Sequence, residues 1–294
     1  MIKTVKRASE IALVIVLRML HLPGCTLGIV LYVFRTTRYR NSLTNIRLCF
    51  PELSDQEVDR LSRMSLVELG KLLFEMLLFW IFPGVFSDRV IRRVRGEEGI
   101  RHALDDGKSV ILVCPHLGNW EVFNVYAGRF KSTVTYKPLK SRWLNAWIRY
   151  CRERNGSTLV PISPQGLKVC CGQLGCAGVV TLFPDQVPDS SAGRVLVPFF
   201  DKPAWTGTLV SRLAQRPNVK VIFGYARRLP EGRGFEIYLT SAPEEIYASD
   251  LERSARALNQ GIEACIERDP HQYLWQYKRF KGAVSSQLYK KKAG

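Results

Sequence analysis

The stretch Ser109-Val-Ile-Leu-Val-Cys-Pro-His116-Leu-Gly-Asn-Trp-Glu121 decides how this chain is read. Ser109–Cys114 is a compact apolar run of the length expected for one buried strand. It ends at Pro115, after which Gly118 and Asn119 can turn the chain into a helix with Asn119 as its N-cap. Residues five apart on a continuous helix lie roughly 140° apart around its axis. His116 and Glu121 therefore meet only if His116 sits in the turn and Glu121 in the first helical turn. There the carboxylate can reach one imidazole nitrogen and fix the tautomer, leaving the other free to take a proton. The positive end of the helix dipole favours the charge on Glu121. Such a pair suits general-base chemistry on a hydroxyl, because an alcohol attacks a thioester poorly until a base removes its proton. No serine or cysteine nucleophile is then required.

Further short strands are expected at Thr133–Tyr136, Thr158–Pro161, Gly178–Phe183, Arg194–Phe199, Val219–Tyr225 and Phe235–Thr240. Helices are expected between them at Asn119–Arg129, Ser141–Arg154, Gln165–Leu174, Trp205–Gln215 and Ser249–Arg268. This alternation implies an α/β fold with a mostly parallel central sheet flanked by helices.

Upstream the texture differs. Of the 24 residues from Ile11 to Phe34, 18 are apolar, enough to reach across a bilayer although Arg18, His21 and Pro23 interrupt them. The stretch is too long for a signal-peptide core, and basic residues on both flanks leave its orientation open. We read residues 1–40 as an N-terminal membrane anchor, 41–281 as the α/β domain and 282–294 as a disordered tail. Residues 41–53 read as a loop. Ser54 and Glu57 have capping-box spacing and open a helix running towards Trp80. Its later part is apolar except for Glu68, Lys71 and Glu75, one narrow polar stripe. Such a helix needs cover on most sides, from lipid beside the anchor, the favoured reading, or from protein as a core helix.

Among 294 residues the net charge is +17, which implies attraction to something anionic, such as a lipid headgroup, a phosphorylated substrate or an acidic carrier protein. Eight cysteines without a C-x-x-C pair read as free thiols, and only four histidines make a metal cluster improbable. Arg149, Arg152 and Arg154 fall on one helix with Trp143, Trp147 and Tyr150. Such arginines can hold phosphate bidentately. Asp185 follows an apolar strand, where function usually lies on a parallel sheet, and can orient an arginine or the acceptor. The terminal Trp275-x-x-Lys278-Arg279-Phe280-Lys281 suits a lipid headgroup interface. No nucleic-acid-binding motif accompanies it.

These motifs carry a resemblance. His116-x-x-x-x-Glu121 resembles the H-x4-D/E motif of the glycerolipid acyltransferase superfamily, and His116-Leu-Gly-Asn-Trp-Glu121 looks like the lipid A biosynthesis acyltransferases of Gram-negative bacteria. Arg152-Glu-Arg154-Asn-Gly156 is similar to that family's R-x-R cluster. Phe183-Pro-Asp185-Gln186 with Val197-Pro-Phe-Phe200 resembles its D-Q/H segment, and Gln272-Tyr-Leu-Trp275 with Lys278-Arg-Phe-Lys281 its C-terminal signature. The likeness covers roughly residues 10–281. It departs at Val187, where the family often has a second acid; the next acid here is Asp189.

The resemblance implies transfer of a fatty acyl chain from acyl-acyl carrier protein to a hydroxyl of a lipid A precursor. His116 would be the general base and Glu121 the residue orienting it. Arg149, Arg152, Arg154, Asp185 and Gln186 would bind substrate. It implies no metal and no cofactor. Its partners would be acyl carrier protein, a phosphorylated glycolipid acceptor and inner-membrane lipids, with no nucleic acid. The catalytic domain would lie on the cytoplasmic side of the inner membrane. Two other readings fit the residues: an acyl-CoA-dependent transferase acting on a glycosylated phospholipid or other membrane lipid, and a non-catalytic basic module binding membrane surfaces.

Overall fold

The computed structural model describes residues 2–82, 87–189, 191–285 and 287–289. Three helices open the chain: α1 (Ile2–Val33), α2 (Thr37–Cys49) and α3 (Asp55–Ile81). Then follow α4 (Ser87–Val90), β1 (Ile91–Arg95), α5 (Glu98–Asp105), β2 (Ser109–Val113), α6 (Trp120–Gly128) and β3 (Thr133–Tyr136). Next come α7 (Arg142–Glu153), β4 (Thr158–Pro161), α8 (Pro164–Leu174) and β5 (Val179–Leu182). The chain continues through β6 (Arg194–Phe199), β7 (Lys202–Gly207), α9 (Leu209–Ala214), β8 (Val219–Arg228), β9 (Phe235–Ser241) and α10 (Leu251–Arg268).

Seven strands form one sheet in the order β1-β9-β8-β2-β5-β3-β4. The five from β8 to β4 are parallel, whereas β9 runs antiparallel to β8 and β1 parallel to β9. The strands β6 and β7 form a separate antiparallel pair. Every residue of β2 is buried, as a central strand covered on both faces requires. Because side chains alternate, Ile111 and Val113 enter one core, with Leu174 of α8, Leu213 of α9 and Ile262 of α10. Val110 and Leu112 enter the other, with Ile100 of α5, Phe123 of α6 and Phe79 of α3. The expected fold class is the one observed.

Within α1, Leu13, Leu17, His21, Gly24 and Gly28 are buried on a single stripe, the spacing of one helix face. The opposite face exposes Ile11, Ile15, Met19, Leu22 and Val33. Ile11–Val33 is the one helical segment among the described residues that is long and apolar enough to cross a membrane. It is not detached from the body, because α1 packs along α3 through glycines. A Cβ on Gly28 would lie 2.4 Å from the Val67 Cα, and one on Gly70 2.0 Å from the Gly24 carbonyl oxygen. Small residues four apart let two helix backbones approach this closely. The polar interruptions of the apolar stretch also bind the body. Arg18 reaches Glu231 at 3.1 Å, and the His21 imidazole lies 2.6 Å from Glu75.

The polar stripe of α3 turns inward rather than edging a lipid face. Glu75 is fully buried, and the Arg228 guanidinium at the end of β8 donates to both of its oxygens, at 2.7 and 2.5 Å. Arg228 also binds Glu68 at 2.6 Å, and Glu68 binds Lys71 at 2.6 Å. Burial would raise the Glu75 pKa, but Arg228 and then His21 outweigh it and hold the carboxyl down to about 2.

Three local expectations are corrected, and two elements are additional. Residues 41–53 are not a loop, because α2 fills most of that segment. Its low-propensity asparagines are spent on tertiary bonds: Asn41 donates to the Gln276 carbonyl, and Asn45 to those of Trp275 and Tyr277. The helix expected from Trp205 begins only at Leu209, since residues 202–207 pair with β6 as β7. The elements β1 and α5 were not anticipated. In the tail, residues 286 and 290–294 lie outside the described residues, but Tyr289 packs back onto the body and its hydroxyl accepts from the Phe280 N–H at 3.2 Å. The capping box of Ser54 and Glu57 is present as expected.

Two outcomes follow from this packing. Gly28→Leu should force α1 off α3 and lower unfolding stability by about 3 kcal/mol or more. Thermal unfolding in detergent checks this, and an unchanged midpoint would refute the close approach. The second outcome concerns acid. The folded pKa of Glu75 is depressed to about 2 from the ordinary 4.5, so its contribution is fully present above pH 4.5 and is lost as pH falls towards 2. Urea midpoints across that window should fall in the wild type, and less steeply in Glu75→Gln.

Candidate active site

The sheet brings the site together. The β2 and β5 strands are neighbours in register, with Val113 opposite Leu182, so the segments leaving their C-terminal ends emerge side by side. One carries His116 and the other Asp185. The His116 Nδ1 lies 2.7 Å from Asp185 Oδ1, and the His116 backbone N–H donates to Oδ2 at 2.9 Å. Asp185 is 2% exposed. Burial would raise its pKa, but the His116 imidazole and its two hydrogen bonds keep it below the ordinary aspartate value. An ionised carboxylate can only accept, so Nδ1 carries the proton and Nε2 presents a lone pair. The Gln186 amide nitrogen lies 3.3 Å from Nε2 and donates to it. Trp120 and Phe183 flank the ring at 4.9 and 5.5 Å between centroids.

The expectation that Glu121 orients His116 is therefore corrected: the acid on the imidazole is Asp185. Glu121 does sit in the first turn of α6, with the Asn119 side chain capping the N–H groups of Glu121 and Val122 as expected. Its carboxylate instead grips Arg152 of α7, with the Arg152 Nε at 3.1 and 3.0 Å from its two oxygens and a further bond from Nη2. Burial works against the Arg152 charge, but Glu121 outweighs it and raises the pKa above the ordinary arginine value.

The turn holding His116 is braced from two sides. Gly118 has φ of +65°, and a Cβ there would lie 2.0 Å from the Ala226 carbonyl oxygen, so only glycine fits. Its N–H donates to the Gln272 carbonyl at 3.1 Å, and the Leu274 N–H donates to the His116 carbonyl at 3.0 Å. The remaining amide arm of Asn119 donates to Glu75 at 2.8 Å, so the buried charge cluster touches the cap of α6 directly.

A cavity of about 180 Å³ opens beside His116. Glu121, Asn124, Arg152, Phe183 and Gln186 contribute to its wall, with residues of β3 on the far side. Of the three arginines expected to bind substrate, Arg152 alone lines this cavity. Arg149 pairs with Glu153 on the surface at 2.9 Å, and Arg154 donates to the Trp80 and Ile81 carbonyls at the end of α3, at 3.4 and 3.3 Å. Asp189 forms an exposed ion pair with Lys137. The C-terminal signature is not a headgroup interface: Trp275, Arg279 and Phe280 are buried. Arg279 binds the Trp205 carbonyl at 2.6 Å and Thr206 at 3.0 Å. Aromatic side chains are exposed on α7 instead, at Trp143, Trp147 and Tyr150, with Trp147 edge-on to Trp80 of α3.

The family description "bacterial lipid A biosynthesis acyltransferase" matches residues 12–282. The lipid A biosynthesis lauroyltransferase of Escherichia coli (strain K12) is 30% identical over 268 residues, covering 88% of this chain and 84% of that protein. The lipid A biosynthesis palmitoleoyltransferase of the same organism is 29% identical over 267 residues, covering 88% and 83%. A lipid A biosynthesis acyltransferase of Haemophilus influenzae is 25% identical over 244 residues, covering 81% and 75%. With a match across nearly its whole length and a histidine and carboxylate meeting at the mouth of a cavity, the chain belongs to the bacterial lipid A biosynthesis acyltransferase family.

Proposed function

We propose that this acyltransferase moves a fatty acyl chain from acyl-acyl carrier protein to a hydroxyl of a lipid A precursor at the cytoplasmic face of the inner membrane. The observation that carries the reading is His116, whose Nδ1 is held by the buried Asp185 carboxylate while Nε2 faces the cavity, where an incoming hydroxyl would replace the Gln186 amide now 3.3 Å away. Nε2 takes the acceptor hydroxyl proton as its oxygen forms a bond to the thioester carbonyl carbon. The C–S bond then breaks, and the thiolate leaves with the proton from the imidazolium. Asp185 stabilises that imidazolium while it exists. Arg152 and Gln186 supply N–H donors to the cavity, suited to the oxygen that gains charge in between.

A net charge of +17 suits both an acidic carrier protein and a phosphorylated acceptor. The exposed apolar face of α1, continued by Leu77 and Ile81 of α3 and the aromatic stripe of α7, suits a chain working against a bilayer.

With acyl-acyl carrier protein as donor, His116→Ala should abolish transfer while membrane association survives; normal transfer by this variant would sink the reading. Asp185→Asn should lower kcat by about two to four orders of magnitude with a smaller change in acceptor KM. A value near wild type would remove Asp185 from the mechanism. Replacing the donor by acyl-CoA separates the carrier protein from coenzyme A. Mass spectrometry of lipid A from cells lacking and then regaining the protein identifies the acceptor.

A further inference from the structure

We propose that Asn124 is a substrate-binding residue whose carboxamide pairs with a secondary amide of the donor or the acceptor, an inference that rests on the acyl-transfer reading above. Asn124 lies on α6 three residues after Glu121 and four after Trp120, so the three share the helix face lining the cavity. It is 4% exposed, yet neither its Nδ2 nor its Oδ1 has a hydrogen-bond partner. Buried polar groups are paired in the great majority of cases, and an exception needs a reason.

The other buried asparagines make the contrast plain. Asn41 and Asn45 donate to backbone carbonyls of the C-terminal segment. Asn119 caps α6 and binds Glu75, and Asn259 bonds to Pro198 and Thr206. Each of these is spent on the fold, whereas both polar ends of the Asn124 amide, buried in the cavity wall, have no hydrogen-bond partner.

A carboxamide offers one acceptor and two donors. An anionic group would use Nδ2 and leave Oδ1 opposed to it, so phosphate is a poor match. An amide provides both an N–H and a C=O. The pantetheine arm of a carrier-bound thioester has two secondary amides in series, and an acceptor with an amide-linked hydroxyacyl chain has one near its reacting hydroxyl. These are the two sources of the same chemistry.

The test uses the full-length protein in detergent micelles, with Asn124→Leu as a near-isosteric apolar replacement. Removing an unpaired buried amide should leave the unfolding midpoint unchanged or higher, while the KM of one substrate rises about tenfold with little change in kcat. A rise for the donor, with loss of preference for acyl-pantetheine over an amide-free alkyl thioester, assigns the amide to the pantetheine arm. A rise for the phosphorylated glycolipid alone assigns it to the acceptor. Unchanged KM values for both overturn the proposal, as does a lowered midpoint with unchanged KM values, which marks Asn124 as a packing residue. If Asn124→Leu does not fold, Asn124→Ala is read against the same outcomes. If the wild type transfers from no donor, the acyl-transfer reading has failed. Equilibrium binding of acyl-pantetheine and of the phosphorylated glycolipid to wild type and variant then still decides the role of Asn124.

Discussion

A fully buried carboxylate needs compensation for the water it has lost, and Glu75 obtains it from three directions at once. Arg228 reaches it from the end of β8, His21 from the N-terminal helix α1 and Asn119 from the turn that carries His116. Removing one partner of such a cluster leaves an uncompensated charge in the core, which costs about 3–5 kcal/mol. The apolar N-terminal helix, the sheet and the His116 turn are thereby locked to one another. The polar side chains that interrupt the apolar stretch Ile11–Phe34, Arg18 and His21, are the groups that fasten it to the body. Against the same helix pair, Gly24, Gly28 and Gly70 bring the backbones close enough for Glu75 and His21 to meet.

The sheet imposes the second constraint. Because β5 inserts between β2 and β3, the segment ending in Asp185 lands beside the one ending in His116, although 69 residues separate them in sequence. The imidazole then receives a rigid, buried acceptor rather than one on a neighbouring helix turn. Glu121, five residues from His116, instead fixes Arg152 and thereby ties α7 to α6. The H-x4-E spacing therefore contributes two features to one cavity wall: an imidazole oriented by Asp185, and a guanidinium paired with Glu121 that has N–H groups to spare.

Local texture made much of this legible. Unbroken apolar runs at Ser109–Cys114 and Gly178–Phe183 mark central parallel strands, and the Asn119 cap and the Ser54–Glu57 box mark helix starts through specific hydrogen bonds. Tertiary pairing was not legible in the same way. Nothing near Glu121 in sequence says that its carboxylate belongs to Arg152, and only the strand order assigns Asp185 to His116. The α2 helix escaped notice because Asn41 and Asn45 look like loop residues until the carbonyls of the C-terminal segment require donors. Trp205 resembled the start of a helix because the antiparallel partner of residues 202–207 is what makes them a strand. The aromatic and basic C-terminal signature resembled a surface because its composition does not reveal that Arg279 lies under the β6–β7 pair.

That last misreading points to where the positive charge acts. Arg228 and Arg279 are consumed in the interior, one by carboxylates and the other by carbonyl and hydroxyl oxygens. Their function is to hold backbone segments together, and their charge contributes little to any field outside. The surplus that an approaching anion meets is carried by exposed arginines and lysines such as Arg60, Arg142 and Lys168. Interactions of exposed charges of this kind are weak and screened by salt. Selectivity for the reacting groups then falls to the cavity wall, where Arg152 is already neutralised by Glu121 and the buried polar groups are mostly uncharged. Under the proposed function, charge brings substrates to the face of the molecule, and hydrogen bonds inside the cavity decide which part of them reaches His116.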